Sequence, residues 1–521
     1  MRKVIEELIN GLIDNSSKKS SVDKIYKIHK YWARKPWFVV DKYINTYSKK
    51  GDLIIDPFCG SGTTGLEAIC LERNFLGIDL NPMSILISEG TMSSLDDIKS
   101  LENDFIKVKA ICREKILNLY STGSICPKCG KTHYEKHIVC GGSNEGKAAI
   151  YCECGRKTSQ LINSNLGKCE LTLDEIYWVP ETEMPEKFFK DRFSYKGVKK
   201  VIDFFTPRAL SSLSFILDTI KSLNSVNEKY LIIAFSNTVL HCSKLKGENV
   251  RPMSVNNYWL PNDIIDENVW FRFEERFSNV LESKRALLNR NQSKYRGKYS
   301  LIHGSALNPN NYQKADYIFT DPPYGETIQY SELSFVWNAW LEQSYDIKEE
   351  IIINPVQKKT SKEFGDLLDV SLTNIYENLK RGKYFTLCFA NKEFNVWREI
   401  IVFCKRLGFQ LEKIEAYDTY GSPYNKNWSK FSPKTDLYVT FKKVAKSDKF
   451  QPENYEYNID SLLDLILKTF DDKELAFDIY KLYDLTVSSI IWLMFYNKKS
   501  FKIEDFDLKT FSELVKIKIN K

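Results

Sequence analysis

A chain of 521 residues exceeds what one hydrophobic core organises, so two or three domains are expected. Hydrophobic residues at 43% and charged residues at 27% describe a globular protein and argue against disorder. The longest apolar stretch, Ile490 to Tyr496, is far short of the ~20 residues a bilayer span needs, and Met1 to Asn15 lacks the apolar segment of a signal peptide. A cytoplasmic protein without membrane contact is expected.

The formal net charge of +7 is unevenly placed: residues 1 to 50 hold twelve Lys/Arg against five Asp/Glu, and residues 281 to 300 hold six against one. Basic surface of this kind suits a polyanion such as nucleic acid.

In chain order, residues 1 to 50 read as a helical, basic segment ending at Ser48-Lys49-Lys50-Gly51. Asp52 to Ile55 reads as a buried strand, Thr64 to Leu71 as a helix after a glycine-rich turn, and Phe75 to Ile78 as a second strand ending at Asp79. This β-α-β unit implies a parallel sheet. Apolar residues recur at helical spacing from about Ser94 to Leu119, and the Cys-, Gly- and His-bearing residues 124 to 169 then mark an inserted module. Helices are predicted around Leu210 to Leu223 and Tyr230 to Leu240, before a polar, basic loop from Ser243 to Asn257. Strand signals return at Tyr299 to His303, Tyr317 to Phe319, Tyr384 to Phe389 and Leu437 to Phe441, so the sheet resumes near residue 299. An excursion that long must carry its own structure. Beyond Lys446 an amphipathic helical tail is expected.

Twelve cysteines without a secretory signal imply a reducing compartment. Cys126-Pro127-Lys128-Cys129-Gly130 and, 23 positions after Cys129, Cys152-Glu153-Cys154-Gly155 supply two close thiolate pairs. Four sulfurs suit a tetrahedral structural zinc site closed to chemistry, with Cys126, Cys129, Cys152 and Cys154 as ligands. The second pair has one intervening residue rather than two, and Cys140, His133 and His137 are spare candidates. An iron-sulfur cluster would use the same residues.

Asp56-Pro57-Phe58-Cys59-Gly60-Ser61-Gly62-Thr63-Thr64-Gly65 follows the first strand and opens a helix, where backbone approaches a ligand closely. Gly60, Gly62 and Gly65 spell G-x-G-x-x-G with Asp79 19 residues after Gly60, so a dinucleotide such as NAD competes for this turn. A pyrophosphate is repelled by Asp56, whereas the sulfonium and α-ammonium of S-adenosylmethionine are attracted to it. A triphosphate loop is excluded, because no Gly-Lys-Ser/Thr follows.

Asp321-Pro322-Pro323-Tyr324 follows the apolar run Tyr317-Ile318-Phe319 and so sits at a strand's carboxyl edge. The prolines fix φ and leave carbonyls free to accept, Asp321 adds a carboxylate, and Tyr324 adds a face for a planar base. An exocyclic amine fits this set, its N–H groups directed at Asp321 and the Pro322 carbonyl. A simple turn at a strand end is the plain alternative.

The stretches Asp56 to Thr64, Gly77 to Pro82 and Thr320 to Tyr324 resemble the donor-binding, ribose-binding and catalytic motifs of amino methyltransferases acting on DNA. More narrowly, His29-Lys30-Tyr31-Trp32-Ala33-Arg34-Lys35-Pro36, Phe205-Thr206-Pro207-Arg208 and Tyr330 to Trp337 resemble the adenine-specific DNA methylases that contain a zinc ribbon. The likeness covers roughly residues 26 to 340 and leaves out the tail. It departs at Ile302 to Leu307, where many methyltransferases place an acidic residue that reads the donor's adenine amine; here Ser305 stands there.

The resemblance implies an α/β protein: a Rossmann-like methyltransferase sheet with a zinc-ribbon insertion, a mixed insertion domain and a helical C-terminal tail. Residues 1–95 would hold the basic segment and donor-binding half, 96–170 a helical stretch and the zinc ribbon, and 171–298 a target-recognition insertion. Residues 299–446 would form the catalytic half and 447–521 the tail. Lys35, Pro36, Asp56, Pro57, Phe58, Gly60, Gly62, Thr63, Thr64, Asp79, Ser305 and Ala306 would bind S-adenosylmethionine, and Asp321, Pro322, Pro323 and Tyr324 would act on the target. The implied reaction is methylation of adenine N6 in double-stranded DNA by base flipping. Cytosine N4 in DNA, guanine N2 in tRNA and a non-catalytic nucleic-acid-binding subunit are the alternatives. A restriction-modification or phage-defence setting, with partner subunits, would suit such an enzyme. Lys244, Lys246, Arg251, Arg285, Arg290, Lys294 and Arg296 are candidates for phosphate contact.

Overall fold

Neighbouring residues of the strand at residue 54 face opposite sides of one sheet, and both sides are covered. Ile54, Phe75, Tyr317 and Phe319 join the core on one face, while Ile55, Leu76 and Ile318 join the core on the other. A strand buried on both faces needs a continuous apolar run, which is what a central parallel strand shows. The computed structural model describes residues 1–13, 21–32, 34–95, 97–155, 157–161, 169–175, 177–189, 197–249, 252, 258–290, 297–418, 435–444, 459–472, 478–496 and 506–519.

The strands are β1 Leu12–Ile13, β2 Leu53–Asp56, β3 Asn74–Asp79, β4 Ser121–Ile125, β5 Thr132–Cys140, β6 Lys147–Tyr151, β7 Lys157–Leu161, β8 Ile264–Glu267, β9 Tyr299–His303, β10 Ala315–Thr320, β11 Leu379–Phe389, β12 Phe409–Asp418 and β13 Thr435–Lys443. The helices are α1 Arg2–Gly11, α2 Trp37–Tyr47, α3 Thr63–Cys70, α4 Pro82–Met92, α5 Ile98–Leu119, α6 Pro207–Ser222, α7 Glu228–Val239, α8 Val269–Arg290, α9 Tyr330–Trp340, α10 Ser361–Asn378, α11 Phe394–Leu407, α12 Ile459–Asp472, α13 Ile479–Tyr496 and α14 Leu508–Ile519.

The large sheet runs β1-β12-β13-β11-β10-β2-β3-β9. Its centre is parallel, with β2 paired to both β3 and β10, while β13 runs antiparallel between β11 and β12. The chain leaves β2 toward β3 on one side and returns to β10 on the other, and the crevice at such a switch point is where open α/β sheets bind ligands. The sheet does resume at residue 299, and β9 closes the edge beside β3.

Between residues 170 and 300, where the sequence offered least pattern, the described residues include the helices α6, α7 and α8. Helices α5 to α9 share one core, into which Ile28 and Trp32 insert. The thiol-rich module is an antiparallel sheet, β4-β5-β6-β7, that also takes β8 from much later in the chain. Arg208 ties the module to α6: it meets Glu135 of β5 at 2.9 Å and also pairs with Asp266 of β8. Thr206 donates to Asp266 at 2.8 Å. The amphipathic tail is not an appendage, since α12, α13 and α1 bury their apolar faces in the core of the main sheet.

Candidate active site

The turn after β2 is built around two carboxylates, Asp56 buried and Asp79 half-buried. Asp56 accepts from the Phe58 amide at 3.1 Å, from the Thr64 hydroxyl at 2.7 Å and from the Thr320 hydroxyl at 2.7 Å. The last bond joins the glycine turn to the residue before Asp321, fastening the loops of β2 and β10 across the switch point. Asp79, at the end of β3, accepts from the Gly60 amide at 2.8 Å and from the Asn81 amide at 2.9 Å. Burial pushes Asp56 up to about 6 and Asp79 up to about 7, in each case against the pull of these hydrogen bonds.

Gly62 caps α3 with φ at +78°, a left-handed conformation, and a Cβ there would stand 2.9 Å from the Ser88 Cα. Only glycine meets both demands. Gly62→Ala is expected to destabilise the protein by about 1–3 kcal/mol, seen as a lower melting temperature without any ligand.

The cleft is lined by Lys35, Asp56, Pro57, Phe58, Gly60, Thr63, Thr64, Asp79, Ser305, Ala306, Asp321 and Pro323. Twelve of the expected donor-site and catalytic residues therefore converge on one space. The other four do not line it: Pro36 caps α2, Gly62 stands behind the turn, Pro322 is buried, and Tyr324 packs edge-on against Phe389 at 5.1 Å between ring centres. Ser305 accepts from the Leu307 amide at 3.1 Å, and its carbonyl accepts from the Asn311 amide group at 2.9 Å. Tyr345, Glu349, Glu350 and Ile351 line the same cleft, and the sequence offered no motif for them.

Lys35, expected beside a donor's methionine end, lines the cleft between Asp321 of the tetrapeptide and Asp436 of β13. Its ammonium is 3.2 Å from Asp321 and 2.7 Å from Asp436, and it donates to the Tyr324 hydroxyl. Asp436, 4% exposed at the side chain, escaped the sequence reading. The usable signal was strand direction: because β13 is antiparallel to β11, its first residues lie at the carboxyl edge of the parallel strands. Burial raises Asp321 to about 7, and Lys35 opposes that rise. Lys35→Met should therefore move the acidic limb of the activity profile to higher pH, because Asp321 loses the cation that favours its charged form. A limb that stays in place or moves to lower pH excludes this coupling.

In the thiol module, the sulfur atoms of Cys126, Cys129, Cys152 and Cys154 all lie within 4.8 Å of one another. Cys126 and Cys154 are 3.8 Å apart, and Cys129 and Cys152 3.3 Å. A tetrahedron of Zn–S bonds of ~2.3 Å has edges of ~3.8 Å, so the donor set fits that ion. Gly130 and Gly155 turn each knuckle, with φ of +70° and +84°. Of the spare candidates, Cys140 is 3.4 Å from Cys169 and His137 pairs across the strands with Glu267, whereas His133 contacts Ser124 at 3.1 Å and also hydrogen-bonds Cys126.

Several of the expected phosphate contacts are otherwise engaged. Arg290 pairs with buried Glu67 and Arg285 with Glu102, while Lys244 donates to the Asp203 carbonyl at 3.0 Å. Arg251, Lys294 and Arg296 lie outside the described residues.

An open, mostly parallel sheet with a glycine turn, the acids Asp56 and Asp79 and a polar loop meeting at its switch point defines a Rossmann-like methyltransferase fold. A family profile described as "DNA methylase" matches residues 9–90. The type II methyltransferase M.MjaII of Methanocaldococcus jannaschii is 25% identical over 428 residues, 74% of this chain and 76% of that protein. The type II methyltransferase M2.DpnII of Streptococcus pneumoniae is 48% identical over 50 residues, 10% of this chain and 19% of that protein. The DNA adenine methyltransferase YhdJ of Escherichia coli is 44% identical over 49 residues, 9% of this chain and 17% of that protein. By these likenesses the chain is similar to DNA methylases of the N6/N4 kind. No helix among the described residues is long and apolar enough to cross a membrane.

Proposed function

We propose that the chain methylates N6 of adenine in double-stranded DNA, with Asp321 and the Pro322 carbonyl accepting the two N–H groups of the target amine. The observation that carries this reading is the bond from Thr320 to Asp56, which fixes the catalytic loop against the glycine turn in one cleft. S-adenosylmethionine, when bound, supplies an electrophilic methyl group on a sulfonium. Asp56, Gly60, Thr63, Thr64, Asp79, Ser305 and Ala306 would hold it, since they line one end of the cleft with buried acceptors suited to a cationic ligand.

An exocyclic amine is a poor nucleophile because its lone pair is delocalised into the ring. Two acceptors placed on its N–H bonds favour a nitrogen nearer sp³, whose lone pair is free to attack. The amine becomes more acidic as it forms its new bond, so a carboxylate held near pKa 7 is a suitable acceptor for its proton. A base inside a duplex cannot reach this depth without leaving the stack, and Tyr324 lies beside Asp321 to receive it. Adenine is preferred over cytosine because Asp leads the tetrapeptide and because YhdJ, described as an adenine methyltransferase, aligns locally.

Incubation with labelled S-adenosylmethionine and either duplex DNA or tRNA, followed by digestion to nucleosides, tests the reading. Label in N6-methyladenine from DNA is expected. Label in N4-methylcytosine would move the target, and label only in tRNA guanosine would overturn the polymer.

The four-cysteine cluster is assigned a structural zinc, closed to chemistry by its four thiolates. Chelation, or Cys126→Ser, is expected to unfold the β4–β7 sheet while sparing donor binding. The readouts are zinc content by metal analysis and amide exchange in residues 121 to 151; full occupancy by iron instead would exclude zinc.

A further inference from the structure

Lys35 serves two acids, and its tighter ion pair is with the one that stands behind the cleft. The ammonium is 2.7 Å from Asp436 Oδ2 but 3.2 Å from Asp321 Oδ2, longer than the ~2.8 Å of a full lysine–carboxylate bond. Asp321 lines the cleft; Asp436 does not, and its side chain is 4% exposed. A third contact of the ammonium is the Tyr324 hydroxyl, which itself donates to Asp321 Oδ1. Oδ1 is thus engaged within its own loop, while Oδ2 shares Lys35 with Asp436. The sheet fixes this arrangement: Asp436 stands near the start of β13, paired with Tyr417 of β12 and followed by Leu437 opposite Phe389 of β11.

Lys35 and Asp321 are also only 10% and 16% exposed at their side chains, so water screens the three charges poorly. Around them stand Tyr324, Cys388 of β11, Tyr438 of β13 and Tyr330 of α9. Burial pushes all four up, which leaves them neutral near pH 7. The sharing of one ammonium between two carboxylates therefore decides the state of Asp321. Burial raises Asp321, Lys35 opposes that rise and Asp436 adds to it. A lysine closed on Asp321 alone would act against transfer in two ways. It would fill the oxygen that the amine needs, and it would favour the charged carboxylate so strongly that a proton is accepted poorly.

We propose that Asp436 is a positioning residue for methyl transfer: it draws Lys35 away from Asp321, so that the Asp321 carboxylate stays open to the target amine. This role rests on the reading of Asp321 as the acceptor for that amine, and adds the group that keeps the acceptor open. Asp436 acts through Lys35 and touches neither donor nor target, since it stands outside the cleft.

The test compares Asp436→Asn, Lys35→Met and the double variant in the full chain. Carboxyl 13C NMR of aspartate-labelled protein follows Asp321 through pH without any turnover, its signal identified by its loss in Asp321→Asn. In Asp436→Asn the ammonium settles on Asp321, so the Asp321 titration is expected to move about one pH unit lower, the opposite direction from Lys35→Met. The single-turnover rate on the plateau of the pH profile is expected to fall about tenfold, with S-adenosylmethionine affinity within about twofold of wild type. Asp436→Glu, which restores the carboxylate, is expected to recover part of the rate. Because the effect runs through Lys35, adding Asp436→Asn to Lys35→Met is expected to change the plateau rate by less than about twofold. An Asp321 titration that stays in place or moves higher in Asp436→Asn overturns the role, as does a shifted titration with an unchanged plateau rate or a further tenfold loss in the double variant. Wild-type transfer by Asp321→Ala would instead overturn the acceptor reading on which this role rests.

Discussion

Asp321→Ala should lower methyl transfer at least about a thousandfold while leaving S-adenosylmethionine affinity within about twofold of wild type. The two effects separate because Asp321 stands on the β10 loop, whereas the turn after β2 and the end of β3 form the other wall of the cleft. Removal of the carboxylate does not strand Lys35, which keeps Asp436 at 2.7 Å, so the fold survives the change. Asp321→Asn keeps one acceptor and should retain more activity than the alanine variant. It should also lose the acidic limb near pH 7, since that limb reports Asp321 giving up its proton. The sign is fixed: burial raises the folded-state value, so the acceptor is protonated and inactive below about 7 and competent above it. Single-turnover rates across pH, with donor affinity by calorimetry, decide the matter. Equal loss of rate and donor affinity would assign Asp321 to donor binding instead.

The parts of this site legible in the sequence are those where backbone geometry restricts residue choice. Gly60 and Gly62 adopt positive φ, and the apolar run through Phe319 must be buried on both faces, so each leaves a mark in the chain itself. Lys35 carried no such mark of its contacts: its partners Asp321 and Asp436 are separated from it by hundreds of residues, and only the antiparallel insertion of β13 brings Asp436 to the cleft. The loop from Tyr345 to Ile351 was invisible for the same reason, being defined by where the fold returns it. Helix α8 was also unread, although Trp270, Phe273, Phe277 and Val280 recur at helical spacing and are buried. The basic count in residues 281 to 300 does not tell which cations are already paired: Arg285 and Arg290 are held by Glu102 and Glu67. Charge composition reports how many cations a segment holds, and only packing reports which lack an acid.

Arg208→Met is expected to cost about 3–5 kcal/mol of stability, the range found when one partner of a buried ion pair is removed. Arg208 and Glu135 have no exposed side-chain surface and Asp266 has 1%, so the two carboxylates left behind would be charged and unsolvated between α6, β5 and β8. The melting temperature should fall by several degrees, and the loss should first appear where the thiol module meets the helices. Replacing all three groups, as Arg208→Met with Glu135→Leu and Asp266→Leu, should recover most of the stability, because an apolar trio removes the stranded charges along with their partner. Failure of the triple variant to recover would assign the loss to packing of the Arg208 stem over Tyr120, whose ring centre lies 4.3 Å from the guanidinium. The triad also explains why Phe205-Thr206-Pro207-Arg208 reads as a motif although the described cleft does not include it. Thr206 caps α6 and bonds Asp266, Pro207 opens the helix, and Arg208 reaches both strands, so four consecutive residues fix how the module stands on the helical body.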